Sequence, residues 1–252
     1  MTDLLVVEGL VKSFGGFLAI NKVDLKIQTG LLTSIIGPNG AGKTTLINLI
    51  TGNLEVDGGR ILLAGKDVTR RPVHDRVRIG MTRSFQISNL FLQLTVYRNI
   101  QLPVLARRGR ADHFFANVDL FSDIHDEVGD ILRTIGLWEK RNQIVGALSH
   151  GDQRLLEIGM AIAPKPKLCF LDEPCAGMNP VERVQVLDLI LRLARDQGLT
   201  FVVVEHDMDI VFSLSDRIVV MNKGEILADG LPEMIRNHEG VREIYLGEEV
   251  NG

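Results

Sequence analysis

Apolar and polar residues recur along the chain with two different periods, and the switch between them divides it. Val23-Asp24-Leu25-Lys26-Ile27 alternates with period two, as a half-buried strand must. Leu4–Phe14 also reads as a strand, and Gly15-Gly16 supplies the turn after it. Leu32–Ile36 is a short apolar run stopped by Gly37-Pro38-Asn39-Gly40. Lys43–Thr51 then carries Leu46, Ile47, Leu49 and Ile50 ahead of Gly52, which predicts a helix with a glycine at its C′ position. Arg60–Leu63 is a further strand.

From about residue 95 to 147 the β-type runs thin out. Val128, Ile131, Leu132 and Ile135 stand at helical spacing, and the stretch reads as a helical insert. Within it, Arg107-Arg108-Gly109-Arg110-Ala111-Asp112 is predicted to be an exposed, solvated loop. A helix near 152–163, a strand Leu168–Leu171 and a helix Val181–Gln197 follow, the last with Pro180 before it and Gly198 after it. Phe201–Val204 is purely apolar, as in a strand covered on both faces. Arg217–Met221 and Glu225–Ala228 flank Asn222-Lys223-Gly224 as a hairpin, and Pro232–Glu249 reads as helices docked on the core. The prediction is an α/β core with a mixed central sheet, an antiparallel β edge and a helical insert.

Composition narrows the function classes. The chain has 252 residues, enough for one large domain or two tightly joined ones. A net charge of −4 argues against a broad basic grip on nucleic acid. Two cysteines, Cys169 and Cys175, are too few for a secreted disulfide framework and match no common zinc spacing, so both read as small core residues in a reducing compartment. Trp138 reads as packing. No run of 18 apolar residues is present, so a cytoplasmic chain that docks on a membrane partner is expected. Gly is the outlier at 25 residues, above the usual share of roughly 7%, and points to tight loops.

The candidate chemistry lies in four places. Gly37-Pro38-Asn39-Gly40-Ala41-Gly42-Lys43-Thr44 fits GxxxxGK[ST] between a strand and a helix. Its glycines let backbone N–H groups curl inward as an anion nest, and the helix N-terminus adds partial positive charge. Lys43 would reach the β- and γ-phosphates and Thr44 would place a hydroxyl on Mg²⁺, with Thr45 beside it. Leu168-Cys169-Phe170-Leu171-Asp172-Glu173 ends an apolar strand in two adjacent carboxylates. Asp172 would hold Mg²⁺ through water and Glu173 would polarise the attacking water. Read alone, the pair is equally a strand end with solvated acids. His206 follows the strand Phe201–Val204 at the edge where open α/β sheets bind ligands, and would bond the γ-phosphate. Read alone, it is a strand-end histidine bonded to backbone. Leu148-Ser149-His150-Gly151-Asp152-Gln153 is, by spacing alone, a capped helix start.

Together these segments resemble the nucleotide-binding subunit of ABC transporters over essentially the whole chain. The motifs at 37–44, 168–173 and His206 stand in the family's order and spacing, Leu148–Asp152 is similar to the signature LSGGQ, Gln86 in Ser84-Phe85-Gln86 to the Q-loop, and Ala176-Gly177-Met178-Asn179 to the D-loop. The resemblance implies a P-loop NTPase core (about 1–94 and 164–230), a helical subdomain with the signature (about 95–163) and a C-terminal tail (about 231–252). It implies ATP and Mg²⁺ as ligands, with Phe14 stacking on adenine and Gln86 sensing Mg²⁺ next to the surface that grips a membrane subunit. It also implies a head-to-tail pair of ATP-binding subunits, alike or paralogous, in which Ser149 and Gly151 touch the γ-phosphate of the partner's ATP. Two permease subunits, a periplasmic binding protein and a place at the inner face of the membrane complete the expectation, with no nucleic-acid partner.

Three positions depart from the family pattern: His150 for Gly, Asp152 for Gln, and Asn179 for Asp. Met81–Gln86, Leu94–Ile100, Glu173–Pro180 and Tyr245-Leu246-Gly247-Glu248 resemble the branched-chain amino acid importer group. Leu-Ser-His-Gly and Leu156-Glu157-Ile158-Gly159-Met160 look more like its urea and short-chain amide branch. The lipopolysaccharide-export ATPase type shares much of the D-loop texture. A soluble ABC ATPase of translation or repair usually carries two cassettes or a long coiled coil, against one P-loop here.

Overall fold

In this computed structural model, residues 2–84, 90–110 and 122–249 are described, with 245–249 as backbone alone. The Gly15-Gly16 turn joins β1 (Asp3–Phe14) to β2 (Phe17–Gln28), with Phe14 paired to Phe17. β2 is longer than the Val23–Ile27 alternation predicts. Register shifts beside Leu10 break its period, and Lys22 sits at φ 47 in the irregular stretch. β4 (Gly58–Leu63) and β5 (Lys66–Asp67) complete a four-stranded antiparallel sheet of order β2-β1-β4-β5.

The second sheet holds β3 (Leu32–Ile36), β6 (Met81–Arg83), β7 (Leu168–Asp172), β8 (Thr200–Val204), β9 (Arg217–Asn222) and β10 (Glu225–Gly230) in the order β10-β9-β3-β8-β7-β6. All neighbours are parallel except β9 and β10, the predicted hairpin. Every residue of β3, β7 and β8 is buried, which is why they read as unbroken apolar runs. Parallel pairing brings the C-terminal ends of β3, β6, β7 and β8 to one edge, where such sheets collect their ligands. The crossovers are α1 (Lys43–Thr51), α2 (Val73–Ile79), α6 (Pro180–Arg195) and α7 (Met208–Leu214). α2, β6 and α7 were not predicted. Seven, three and seven residues are too short to develop a readable period.

The helical insert contains α3 (Val96–Arg107), α4 (Ser122–Thr134) and α5 (His150–Ile162). Ile100, Val104, Val128, Leu132 and Leu156 share one core with Leu171 and Phe201, so the insert is packed onto the large sheet. Trp138 is packed as expected, between the guanidiniums of Arg133 and Arg141, 4.6 and 4.4 Å from its ring.

The arginine run is exposed from Arg107 to Gly109, as predicted, but it is not a free loop. Arg107 closes α3, its Nη2 lies 2.5 Å from Glu127, and Arg108 bonds both Glu127 and Asp123 on α4. Charge density reads as exposure and the exposure is there; what it does not show is that opposite charges on the facing helix hold the run in place, and Ala111 and Asp112 lie outside the described residues. The tail forms α8 (Pro232–Arg236) and α9 (Glu239–Glu249), and buried Ile235 and Val241 join Ile36, Val211, Ile218 and Val220 in a third core. Among the described residues no helix is long and apolar enough to cross a membrane.

Candidate functional site

The loop between β3 and α1 is shaped by backbone that only glycine tolerates. Gly37 has φ 150, and a Cβ there would lie 2.2 Å from the Met221 carbonyl oxygen. Gly42 caps α1 in the left-handed region with no side-chain cap, and the first turn carries no acid, so the helix presents its N–H groups to an anion. Lys43 folds back across the loop, its Nζ donating to Gly37 O (2.6 Å) and Pro38 O (3.0 Å). A cleft of about 380 Å³ opens over the loop, lined by Asn39–Thr45 together with Phe14, Phe17, Glu173 and His206. Phe14 and Phe17 remain exposed, which suits a stacking platform better than a core role.

The two adjacent carboxylates at the end of β7 face different surroundings. Glu173, at φ 45, points into the cleft with Oε1 3.0 Å from His206 Nε2, while its N–H donates to Val204 O (2.9 Å). Asp172 is buried, and Arg83 Nη2 donates to its Oδ2 at 2.7 Å. Arg83 also reaches Asn48 Oδ1 on α1 at 2.5 Å. Adjacent carboxylates at a buried strand end need a cation nearby, and Arg83 supplies one within the chain.

Behind them Glu205 is buried, which pushes its carboxyl above the ordinary range, although it accepts N–H bonds from Cys175 and His206. Burial also raises both thiols to about 12, as small core cysteines require. Thr44 and Asp172 are hard oxygen donors, and among the described residues no group of three or more His, Cys, Asp or Glu gathers to hold a metal. That donor set fits Mg²⁺, which takes few protein ligands when phosphate oxygens share it.

Ser149 and Gly151 stand outside this cleft, at the head of α5. Ser149 caps the helix, its Oγ accepting from Asp152 N at 3.2 Å. Gly151 N donates to Glu182 Oε1 (3.1 Å), and a Cβ on Gly151 would meet Glu182 Cγ at 2.7 Å. Glu182 also completes the capping box of α6 with Asn179, so an amide at that position serves the helix start. His150 Nε2 lies 3.7 Å from where a Cβ on Gly177 would sit. The charge of Asp152 is answered by Lys140 at 2.5 Å. Gln86 lies outside the described residues. Arg83, Arg154, Phe17 and Glu182 are not singled out by the sequence, although each stands close to a motif: Arg83 within Met81–Gln86, Arg154 two residues past the signature, Phe17 three past Phe14 and Glu182 three past Asn179.

A phosphate nest on a helix N-terminus, at the edge of a parallel sheet and facing a carboxylate–imidazole pair, defines a P-loop nucleotide-hydrolysing domain. Residues 20–176 match the family described as ABC transporter, and residues 225–251 match the family described as branched-chain amino acid ATP-binding cassette transporter. The chain belongs to the ABC transporter family, as an ABC-type ATPase. It is 40% identical over 252 residues to the high-affinity branched-chain amino acid transport ATP-binding protein BraF of Pseudomonas aeruginosa, covering 97% of this chain and 98% of that one. It is 40% identical, with the same coverage, to the protein LivG of Escherichia coli K12, which carries the same description. The ADP conformation of an ATP-binding cassette of an ABC transporter superposes with a TM-score of 0.84 at 34% identity, covering 98% of this chain and 100% of that one.

Proposed function

We propose that this ATPase powers import of branched-chain amino acids, working at the inner face of the membrane with two permease subunits, a periplasmic binding protein and a second ATP-binding subunit. What supports the cargo is near-full-length similarity to two proteins with that description, together with the match of residues 225–251.

The cleft supports the following mechanism. The ATP phosphates enter the nest of residues 37–44, and Lys43 turns from the Gly37 and Pro38 carbonyls to the β- and γ-phosphates. Phe14, with Phe17, stacks on adenine. Thr44, Asp172 and Gln86 would hold Mg²⁺, which supplies charge neutralisation at the phosphates. Glu173 takes a proton from the attacking water, and His206 holds that carboxylate and bonds the γ-phosphate. Ser149 and Gly151 complete the partner's site, so hydrolysis is tied to closure of the pair.

An apolar groove of about 230 Å³ lies between α2, β6 and α5, lined by Val73, Val77, Met81, Leu90 and Met160. It suits a permease helix, and Phe91 and Leu92, which follow Leu90 in the chain, are exposed. The test is uptake into membrane vesicles carrying the chain with its permeases and binding protein. Leucine uptake that needs ATP and is lost in Lys43→Met supports the reading. Uptake of urea or acetamide in place of leucine overturns the cargo.

A further inference from the structure

Arg154 lies in the second turn of α5, and its guanidinium is turned away from solvent toward the end of β7. Its Nη2 donates to Asp172 O (2.5 Å) and Glu173 O (2.7 Å), and its Nε donates to Pro174 O (3.1 Å). Nη1 is held by Glu157 of the same helix at 2.5 Å, in an ion pair with both side chains about 10% exposed. One buried side chain therefore grips three consecutive carbonyls, those of Asp172, Glu173 and the residue after them. The middle one belongs to a non-glycine residue at φ 45, a conformation that persists only when its surroundings enforce it.

We propose that Arg154 is a positioning residue that ties the signature helix to the catalytic base. The planar fork of a guanidinium presents several donors in fixed geometry, so α5 and the backbone of residues 172–174 move as one body. The head of the same helix carries Ser149 and Gly151. A shift of α5 as a partner's nucleotide docks there is delivered through Arg154 to the Glu173 backbone, and from it to the carboxylate facing His206. This rests on the reading of Glu173 as the base. An ammonium at this position would have one nitrogen where the guanidinium places two on three acceptors.

The test uses the full chain with Arg154→Lys, Arg154→Gln and, separately, Glu173→Gln, reading kcat, KM for ATP and direct binding of a fluorescent ATP analogue. Misplacing a reacting group by ~1 Å costs up to ~10²-fold in rate, so kcat is expected to fall on the order of ten- to a hundredfold, further in Gln than in Lys. KM and analogue binding are expected to stay within about threefold, a split that general loss of structure would not give. Turnover within about twofold of the unaltered chain in folded Arg154→Lys and Arg154→Gln overturns the proposal, as does a loss of nucleotide binding that matches the loss of rate. If Arg154→Gln does not fold, Arg154→Lys decides by the same criteria. Glu173→Gln separates the two readings: turnover kept there sinks the base itself, whereas turnover lost there but kept in the Arg154 variants sinks only the clamp.

Discussion

Glu173 Oε1 and His206 Nε2 lie 3.0 Å apart, each one residue or two beyond the end of a parallel strand, β7 and β8. The strands are hydrogen-bonded neighbours in register through Asp172 and Val204, so the pairing follows from the sheet. Glu173→Gln keeps the size of the side chain and removes the carboxylate proposed as the base. It is expected to lower turnover by on the order of 10²–10⁴-fold while ATP still binds. Comparing steady-state hydrolysis with equilibrium nucleotide binding checks this, and near-normal turnover would remove Glu173 from the role.

Lys43 is buried and spans two loop carbonyls, so its removal affects the loop as well as the ligand. Lys43→Met is expected to abolish the thermal stabilisation that ATP confers. A site saturated a hundredfold above Kd stabilises the fold by about 2.7 kcal/mol, and that gain is what a melting experiment with and without ATP reads. An undiminished shift in the variant would place the phosphates elsewhere.

How much of this was legible in the sequence depends on the kind of interaction. The P-loop could be read because its chemistry is carried by consecutive residues between a strand and a helix. The strands β3, β7 and β8 could be read because burial on both faces leaves nothing polar in them. Arg83 and Arg154 could not, because their partners lie 89 and 18 to 20 residues away and are fixed only by strand order and helix docking. The exposure of the run at 107–109 could be read from its charge, but its pairing could not, because its counter-charges stand on α4 and spacing carries no information about which helix faces which.

Arg83 and Asp172 form a pair with side chains 9% and 3% exposed. Breaking a buried pair from one side leaves an uncompensated charge, so Arg83→Met is expected to destabilise the fold by about 3–5 kcal/mol. Urea unfolding of the variant measures it. A loss under ~1 kcal/mol would mean that the Asp172 carboxylate finds another partner or water.

Glu127 gives a pH dependence with a definite sign. Its burial opposes ionisation, but Lys165, Arg108 and Arg107 more than offset that and hold its carboxyl below the ordinary range. A carboxylate with a depressed folded pKa contributes stability that is present above its unfolded pKa, about 4.3, and is lost as pH falls through the folded value. Glu127→Gln is therefore expected to be less stable than the unaltered chain at pH 7, with the gap closing below about pH 4. Denaturation curves across that range test it, and a gap independent of pH would show that packing, not charge, makes the difference.

Ser149 has a structural task as well as its proposed one, and the two can be separated. Its Oγ caps α5 through Asp152 N, so Ser149→Ala should cost about 1 kcal/mol of stability from the cap alone. Asn is as good a cap as Ser, so Ser149→Asn should restore that stability. It replaces the hydroxyl proposed to meet the partner's γ-phosphate with a bulkier amide. ATP-driven association, followed by sedimentation in a Glu173→Gln background where ATP persists, is expected to weaken in both variants, although only Ser149→Ala loses the cap. Association that tracks stability, normal in Ser149→Asn and weak in Ser149→Ala, would reduce Ser149 to a helix cap and leave the contact across the pair without its hydroxyl.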